Sequence, residues 1–405
     1  MEPAIGPNDA VNLTATFPQT AGHLASLGLS GRRLSADHRL PGGTTTMRKV
    51  LTAAAAAALF TTGIASGAGT AVAAPTAEAG TPSPNAAGTT APAVKTNESN
   101  GSFDLQAHRG GRGEWTEESL AAFANSLKLG VSTLELDTHL TEDGKVIVWH
   151  DDTMQANKCA DTAPATPNDP EFPYAGDRVA DLSLAQIKTL NCGYTQLAGY
   201  PEQQVIEGNR VAELKDVFAL ANEYGAKKVR FNVETKVEDG RAGGPDSVAL
   251  TKAVVTEIYM AGMSGRTTVQ SFDWSTLNYT KKIAPQLPLV ALSSGDAWLQ
   301  VGKPGAAPEL GGIDIDDYDG SLAKAAKAQG YDVISPAFAS VTPKMIAEAH
   351  EFGLPVIPWT VNTTADMARL MDLGVDGIIT DYPTRLRTLM QERGLKLPKA
   401  YAPAD

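Results

Sequence analysis

Two hydrophobic periods take turns along this chain. Short runs rich in aliphatic and β-branched residues fall at 103–107, 133–138, 229–234, 267–271, 289–292, 332–335, 356–360 and 377–380. Between most of them the period lengthens to that of an amphipathic helix, as at 120–129, 214–224, 247–260, 343–352 and 365–371. Eight strand-like runs with intervening helices predict an α/β chain folded as a (β/α)8 TIM barrel. A ninth run, 146–149, follows the second strand after about five residues, too few for a crossover between parallel strands. It is expected to be the return arm of a hairpin.

The alternation fails in two places. Residues 1–46 show no sustained period and read as a disordered gene-model extension, with Met47 the better start. Met47-Arg48-Lys49 opens a basic stretch, 51–64 is apolar, and Ala71-Val72-Ala73 is a small-residue cleavage site. Residues 47–73 are therefore expected to be a signal peptide, with 74–100 as a flexible linker and the barrel domain spanning 101–395. A membrane anchor is the alternative for the apolar run, but Thr61, Thr62, Gly63 and Ser66 interrupt it. The second failure runs from about 152 to 208, where proline-rich loop chemistry replaces both periods and only 184–190, behind Ser183, reads as helix. It is expected to be an insertion with little core of its own, overhanging the active-site mouth. Cys159 and Cys192 are the two cysteines of the chain. In an exported protein they are expected to pair and staple this insertion, worth ~3–4 kcal/mol by loop-closure entropy; two free buried thiols are the alternative.

Composition narrows the partners. The chain has 405 residues, 42% hydrophobic, and a net charge of −12. That balance argues against nucleic acid or an anionic membrane surface as a main partner, but does not forbid an anionic substrate, because local charge at the site decides that. It leaves oligomeric state open. No apolar or basic segment of the barrel domain is expected to insert stably in a membrane.

Candidate chemistry is concentrated early in the barrel. In 132–139 the alternation puts Glu135 and Asp137 on one strand face and Leu134, Leu136 and Thr138 on the other. Two buried carboxylates side by side call for a positive partner, most simply a hard divalent cation. His108-Arg109 lies just upstream and His150-Asp151 just downstream. Histidines to exchange protons, an arginine for phosphoryl oxygens and a carboxylate cradle are what phosphodiester cleavage needs. Arg109 is expected to bind phosphate bidentately, with Lys236 as a second point charge, and Asp151 to orient its neighbours; taken alone, Lys236 and Glu234 would read equally as a surface ion pair. His139 shares the parity of Glu135 and Asp137, so either substrate contact or a polar strand cap explains it. Asp314, Asp316, Asp317 and Asp319 lack EF-hand spacing and read as a solvated loop.

Over roughly 103–390 the chain resembles the glycerophosphodiester phosphodiesterase family. The segments that carry the resemblance are His108-Arg109-Gly110, Glu117-Glu118-Ser119-Leu120-Ala121-Ala122-Phe123, Glu135-Leu136-Asp137, His150-Asp151, Val233-Glu234-Thr235-Lys236, Gln270-Ser271-Phe272, Pro358-Trp359-Thr360-Val361-Asn362 and Gly374 to Pro383. The resemblance implies the same barrel fold, His108 and His150 as an acid–base pair, and Glu234 as a third metal ligand beside Glu135 and Asp137. Such an oxygen-only set suits Ca²⁺ or Mg²⁺, with Ca²⁺ favoured for an exported enzyme. Phe272 and Trp359 match positions lining the pocket for the alcohol, although aromatic core plugs would account for them equally. Where the family shows Pro-Glu-Asn-Thr, this chain has Thr116-Glu117-Glu118-Ser119. Glu117 keeps the acid in a supporting role; Glu118 is expected near the mouth. The implied activity is hydrolysis of glycerophosphodiesters to an alcohol and glycerol 3-phosphate. A lysophospholipase D or sphingomyelinase D activity, or a non-catalytic phosphate-ester binding protein, are the competing readings.

Overall fold

The alternating runs become strands β1 (Asp104–Ala107), β2 (Thr133–Leu140), β3 (Val146–Val148), β4 (Arg230–Thr235), β5 (Thr267–Ser271), β6 (Leu289–Ser293), β7 (Val333–Pro336) and β8 (Gly377–Thr380). They belong to a computed structural model that describes residues 102–237 and 242–403. The extension, signal peptide and linker expected at 1–46, 47–73 and 74–100 lie outside the described residues.

The strands form one sheet in the order β7-β6-β5-β4-β2-β1-β8, with every neighbouring pair on this path parallel. β3 lies antiparallel to β2, as the short connection requires. Residues 356–361 close the gap between β7 and β8. Parallel bridges join Val356 to Ile334 and Trp359 to Ala337. On the other side, the Val361 N–H donates to Ile379 O and the Ile379 N–H to Pro358 O, both at 3.0 Å. The strand expected at 356–360 is therefore in place as isolated bridges only. Pro355 and Pro358 have no N–H to contribute, which breaks a regular ladder. At the β1–β8 seam, Gly377 is required for packing: a Cβ there would lie 2.6 Å from the Asp104 carbonyl oxygen.

The helices are α1 (Leu120–Leu129), α2 (Leu184–Ile187), α3 (Leu214–Glu223), α4 (Pro245–Met260), α5 (Trp274–Ile283), α6 (Asp296–Leu299), α7 (Leu322–Gln329), α8 (Pro343–Glu351), α9 (Thr364–Leu373) and α10 (Pro383–Glu392). Their apolar faces cover the sheet, with Phe218 of α3 edge-on to Phe231 of β4 at 4.9 Å. α5, α7 and α10 escape the periodicity. α7 buries Leu322 and three alanines, a stripe with little hydrophobic contrast. Among the described residues no helix is long and apolar enough to cross a membrane.

The insertion differs from expectation in two respects. Its helix stops at Ile187, held by a capping box between Ser183 and Gln186. It also has a core of its own: Met154, Cys159, Tyr174, Val179, Leu182, Ile187, Leu190 and Cys192 are buried together against Ile147 and Trp149. These residues come from loops with no common period, so no pattern along the chain marks them. The Cys159–Cys192 disulfide crosses this cluster, and Ala160 and Asn191 form a bridge beside it. The returning arm is also tied to the barrel: the Thr116 N–H donates to Gln204 O at 3.0 Å and Gln203 Nε2 to Arg112 O at 2.8 Å.

A Cys159→Ser/Cys192→Ser double variant should lose ~3–4 kcal/mol of stability, the loop-entropy value for so long a loop, yet keep a folded insertion because the second cluster survives. Hydrogen exchange checks this. Faster exchange should be confined to 152–208, and acceleration spreading equally into β2 and β4 would refute separate stapling.

Candidate active site

Parallel register assembles the acidic cluster. β2 and β4 pair Asp137 with Glu234 and Glu135 with Asn232, and β4 and β5 pair Glu234 with Gln270. Leu134, Leu136, Phe231 and Val233 enter the hydrophobic core, which leaves the alternate residues for the barrel interior. Glu135, Asp137 and Glu234 are buried, and their ligand atoms lie within 4.8 Å of one another. Among the described residues this is the one group of acids, histidines or cysteines with metal-binding spacing. Beneath it lies a ladder of amides rather than an apolar layer. Gln270 Nε2 donates to Glu135 Oε1 at 2.6 Å, Asn232 Nδ2 to Gln270 Oε1 at 2.7 Å, and Asn232 Nδ2 to Gln106 Oε1 at 3.0 Å.

Two cations lie against the acids. β1 runs into a turn in which Arg109 has φ 51° and Gly110 and Gly111 have φ 77° and 96°, folding the arginine backbone inward. Its N–H donates to Glu135 Oε2 at 2.9 Å, its Nε sits 2.9 Å from Asp137 Oδ2, and its Nη1 donates to Glu117 Oε2 at 3.0 Å. Lys236 Nζ is 2.8 Å from Glu234 and 3.6 Å from Asp137. Burial drives all three carboxyls up, but the outcomes diverge. Lys236 and Arg109 hold Asp137 well below the usual carboxylate range. Burial and Asp137 keep Glu135 high and bring Glu234 to about 7. The two cations thus hold one of the three carboxyls ionised and leave the other two raised, and three buried oxygen donors so close suit a hard divalent cation.

The histidines face the same cavity, of about 230 Å³, together with Arg109, Lys236, Phe272 and Trp359. His108 Nδ1 is 2.5 Å from Asp381 Oδ1. Asp381 is fixed in turn by Asn362, whose Nδ2 donates to Oδ2 at 2.7 Å and whose Oδ1 accepts the Asp381 N–H at 3.0 Å. His150 Nδ1 is 3.0 Å from Asp151 Oδ1. With both Nδ1 atoms occupied, Nε2 is the nitrogen left to each imidazole for other partners. Burial lowers both histidines, His150 to about 4, so both are neutral near pH 7. Phe272 and Trp359 meet edge-to-face at 5.2 Å.

One expectation needs revision, and two others gain detail. Glu118 is not at the mouth. It is 3% exposed, adopts φ 55° and turns in behind β2, where its Oε1 accepts the Asp137 N–H at 3.0 Å. Burial and Asp137 raise its carboxyl well above the ordinary range. His139 is buried with Nε2 3.0 Å from the His150 carbonyl, so it braces the histidine backbone. The acidic loop at 314–319 uses its carboxylates locally: Asp314 accepts from Asp316 N and Gly305 N, and Asp319 pairs with Lys324. Asp381, Asn362 and Gln270 were not singled out from sequence, although all three lie in the segments that carry the family resemblance. Lys158, which reaches Asp151 and Glu117 from the insertion, leaves no signal along the chain.

The model of the glycerophosphoryl diester phosphodiesterase family matches residues 108–385. A protein named glycerophosphodiester phosphodiesterase from Caldanaerobacter subterraneus subsp. tengcongensis is 28% identical over 288 residues, 71% of this chain and 98% of the relative. The crystal structure of a provisionally assigned glycerophosphoryl diester phosphodiesterase from Silicibacter pomeroyi is 30% identical with a TM-score of 0.62, covering 75% of this chain and 97% of that one. A phosphodiesterase from Oleispira antarctica, solved in complex with the product sn-glycerol-3-phosphate, shares the fold at 17% identity and a TM-score of 0.53, covering 71% and 96% of the two chains.

Glu117 generates a stability prediction. Burial pushes its carboxyl up, but Arg109, Lys158 and Arg112 outweigh it and hold the group at about 2. A depressed folded pKa stabilises above the ordinary carboxylate value, and that contribution is lost as pH falls towards 2. Glu117→Gln should therefore cost on the order of 3 kcal/mol near neutrality, the gap from the parent narrowing below about pH 4.5. Urea titrations at stepped pH measure it; a gap that does not change with pH would assign the effect to packing.

Proposed function

The chain belongs to the glycerophosphoryl diester phosphodiesterase family, and on that premise we propose that it hydrolyses glycerophosphodiesters to an alcohol and sn-glycerol 3-phosphate outside the cell. The observation that carries this reading is the convergence on one cavity of His108, Arg109, His150 and Lys236 with the buried Glu135, Asp137 and Glu234 cluster. The product bound to the Oleispira phosphodiesterase and the name of the Caldanaerobacter relative support the substrate class. The partner is accordingly a small molecule.

Glu135, Asp137 and Glu234 would hold a divalent cation, Ca²⁺ or Mg²⁺, which when bound supplies Lewis-acid polarisation of a phosphoryl oxygen. Arg109 and Lys236 place positive charge beside the non-bridging oxygens, where it strengthens as the transition state gains negative charge. Being neutral, either imidazole can take a proton at Nε2 from the attacking hydroxyl or water. The other must enter the step carrying a proton at Nε2 taken up from solvent, which it gives to the alkoxide oxygen as the phosphorus–oxygen bond to the alcohol breaks. Asp381 and Asp151 orient the rings by accepting from Nδ1–H, which keeps Nε2 available. Phe272 and Trp359 supply an apolar wall for the alcohol.

Turnover of glycerophosphocholine with and without EDTA tests the reading, with products identified by phosphorus NMR. Glycerol 3-phosphate should appear and EDTA should stop it. Preferential turnover of lysophosphatidylcholine would favour the lysophospholipase D alternative, and binding without turnover the non-catalytic one. Asp137→Ala should abolish both activity and calorimetric binding of Ca²⁺ or Mg²⁺ while the fold is retained; undiminished metal affinity would overturn the ligand assignment.

His108→Ala and His150→Ala should each lower kcat by at least about a hundredfold with a much smaller change in KM, because proton transfer acts in the transition state. A variant that loses affinity and keeps kcat would identify that histidine as a binding residue.

Export rests on the sequence pattern at 47–73. Protein recovered from the medium of a secreting host should begin near residue 74, and retention in the cell with an intact N-terminus would count against it.

A further inference from the structure

Each histidine meets a carboxylate, and each carboxylate meets a side chain carried by the insertion. Tyr200 places its hydroxyl 3.4 Å from Asp381 Oδ2, with the Arg112 guanidinium 4.7 Å over its ring. The contact to the other histidine is stronger. Lys158 Nζ pairs with Asp151 Oδ2, whose second oxygen is the one against His150 Nδ1. The same ammonium lies 2.6 Å from Glu117 Oε1 and 5.5 Å from the centre of the Trp149 ring. Only 10% of the Lys158 side chain is exposed.

We propose that Lys158 is a positioning residue for His150, which makes the insertion part of the acid–base machinery. The inference rests on the reading of His150 as an acid–base group. A carboxylate fixes an imidazole tautomer only if its own rotation is stopped. Asp151 is adjacent to His150 in sequence, so the chain alone does not prevent it from swinging to solvent. Lys158 stops that rotation by pairing with the oxygen that His150 leaves over, and Glu117 stops the lysine from following it outward. Glu117 is in turn held by Arg109 at 3.0 Å and Arg112 at 2.7 Å, so the chain Lys158–Asp151–His150 is braced against the turn that carries His108. The Cys159–Cys192 disulfide begins at the next residue and fixes the backbone from which Lys158 projects.

The test uses the full mature chain with saturating Ca²⁺ or Mg²⁺ and glycerophosphocholine. Lys158→Met, Lys158→Arg and the insertion control Lys188→Met, whose lysine pairs with Asp216 and Glu213, are each made in the parent and in His150→Ala. Lys158→Met should lower kcat about tenfold or more with KM within about threefold, Lys158→Arg should restore most of the loss, and Lys188→Met should match the parent. In His150→Ala, Lys158→Met should add no further loss, because its effect passes through the missing ring. Nitrogen NMR of the His150 imidazole should show the Nδ1–H tautomer in the parent and a mixture in Lys158→Met. Equal losses in both backgrounds with no rescue by arginine, or a Lys158→Met kcat within about twofold of the parent, would overturn the proposal. If His150→Ala itself retained full activity, the acid–base reading would fail, and an unchanged tautomer in Lys158→Met would separately dispose of the positioning role.

Discussion

Three carboxylates buried within 4.8 Å of one another are the constraint around which this protein is arranged. Removing ionised groups from water costs several kcal/mol each unless opposite charge or donors replace it. The chain answers with layers. Arg109 and Lys236 touch the acids directly, the Arg109 N–H and Gln270 amide donate to Glu135, and the Asp104–Gln106–Asn232–Gln270 ladder continues the polar network down the barrel. Even so the acids exceed the cations. The same imbalance that would destabilise an ordinary core makes this one suited to hold a cation.

That constraint explains local features that look unrelated. The left-handed turn at Arg109 lets one residue present both its amide and its side chain to the acids. Glu117 is a hub because the cations that serve the site need a counter-charge on their far side; it meets Arg109, Arg112 and Lys158. Glu118, directly after it, turns the other way and braces the backbone of Asp137. The histidines stand at the edge of this field, each with its own carboxylate, so their tautomers are set independently of the acidic cluster.

The insertion belongs to this arrangement. A loop-rich segment of over fifty residues with a disulfide and a small core of its own can keep a lysine in place against Asp151 and Glu117. A free loop would pay the rotational entropy of that lysine each time the contact formed.

Much of this was legible along the chain, for reasons that are local. A period of two puts Glu135 and Asp137 on one face of β2 and the leucines between them on the other, whatever surrounds the strand. A short connection makes β3 antiparallel, and amphipathic stripes reveal α1, α3, α4, α8 and α9. The alanine stripe of α7 gives a weak signal because it offers little hydrophobic contrast, and the run at 356–360 reads as a strand without showing that its prolines reduce it to isolated bridges. What only the tertiary structure decided is which groups meet. The β2–β4 register sets Glu234 beside Asp137. Barrel closure brings Asp381 to His108 across 273 residues. The folded insertion returns Lys158 to Asp151 and Glu117, and the turn after β1 takes Glu118 inside. Periodicity records which way a side chain points from its own backbone; its partner depends on register, closure and shared burial, which are properties of the whole fold.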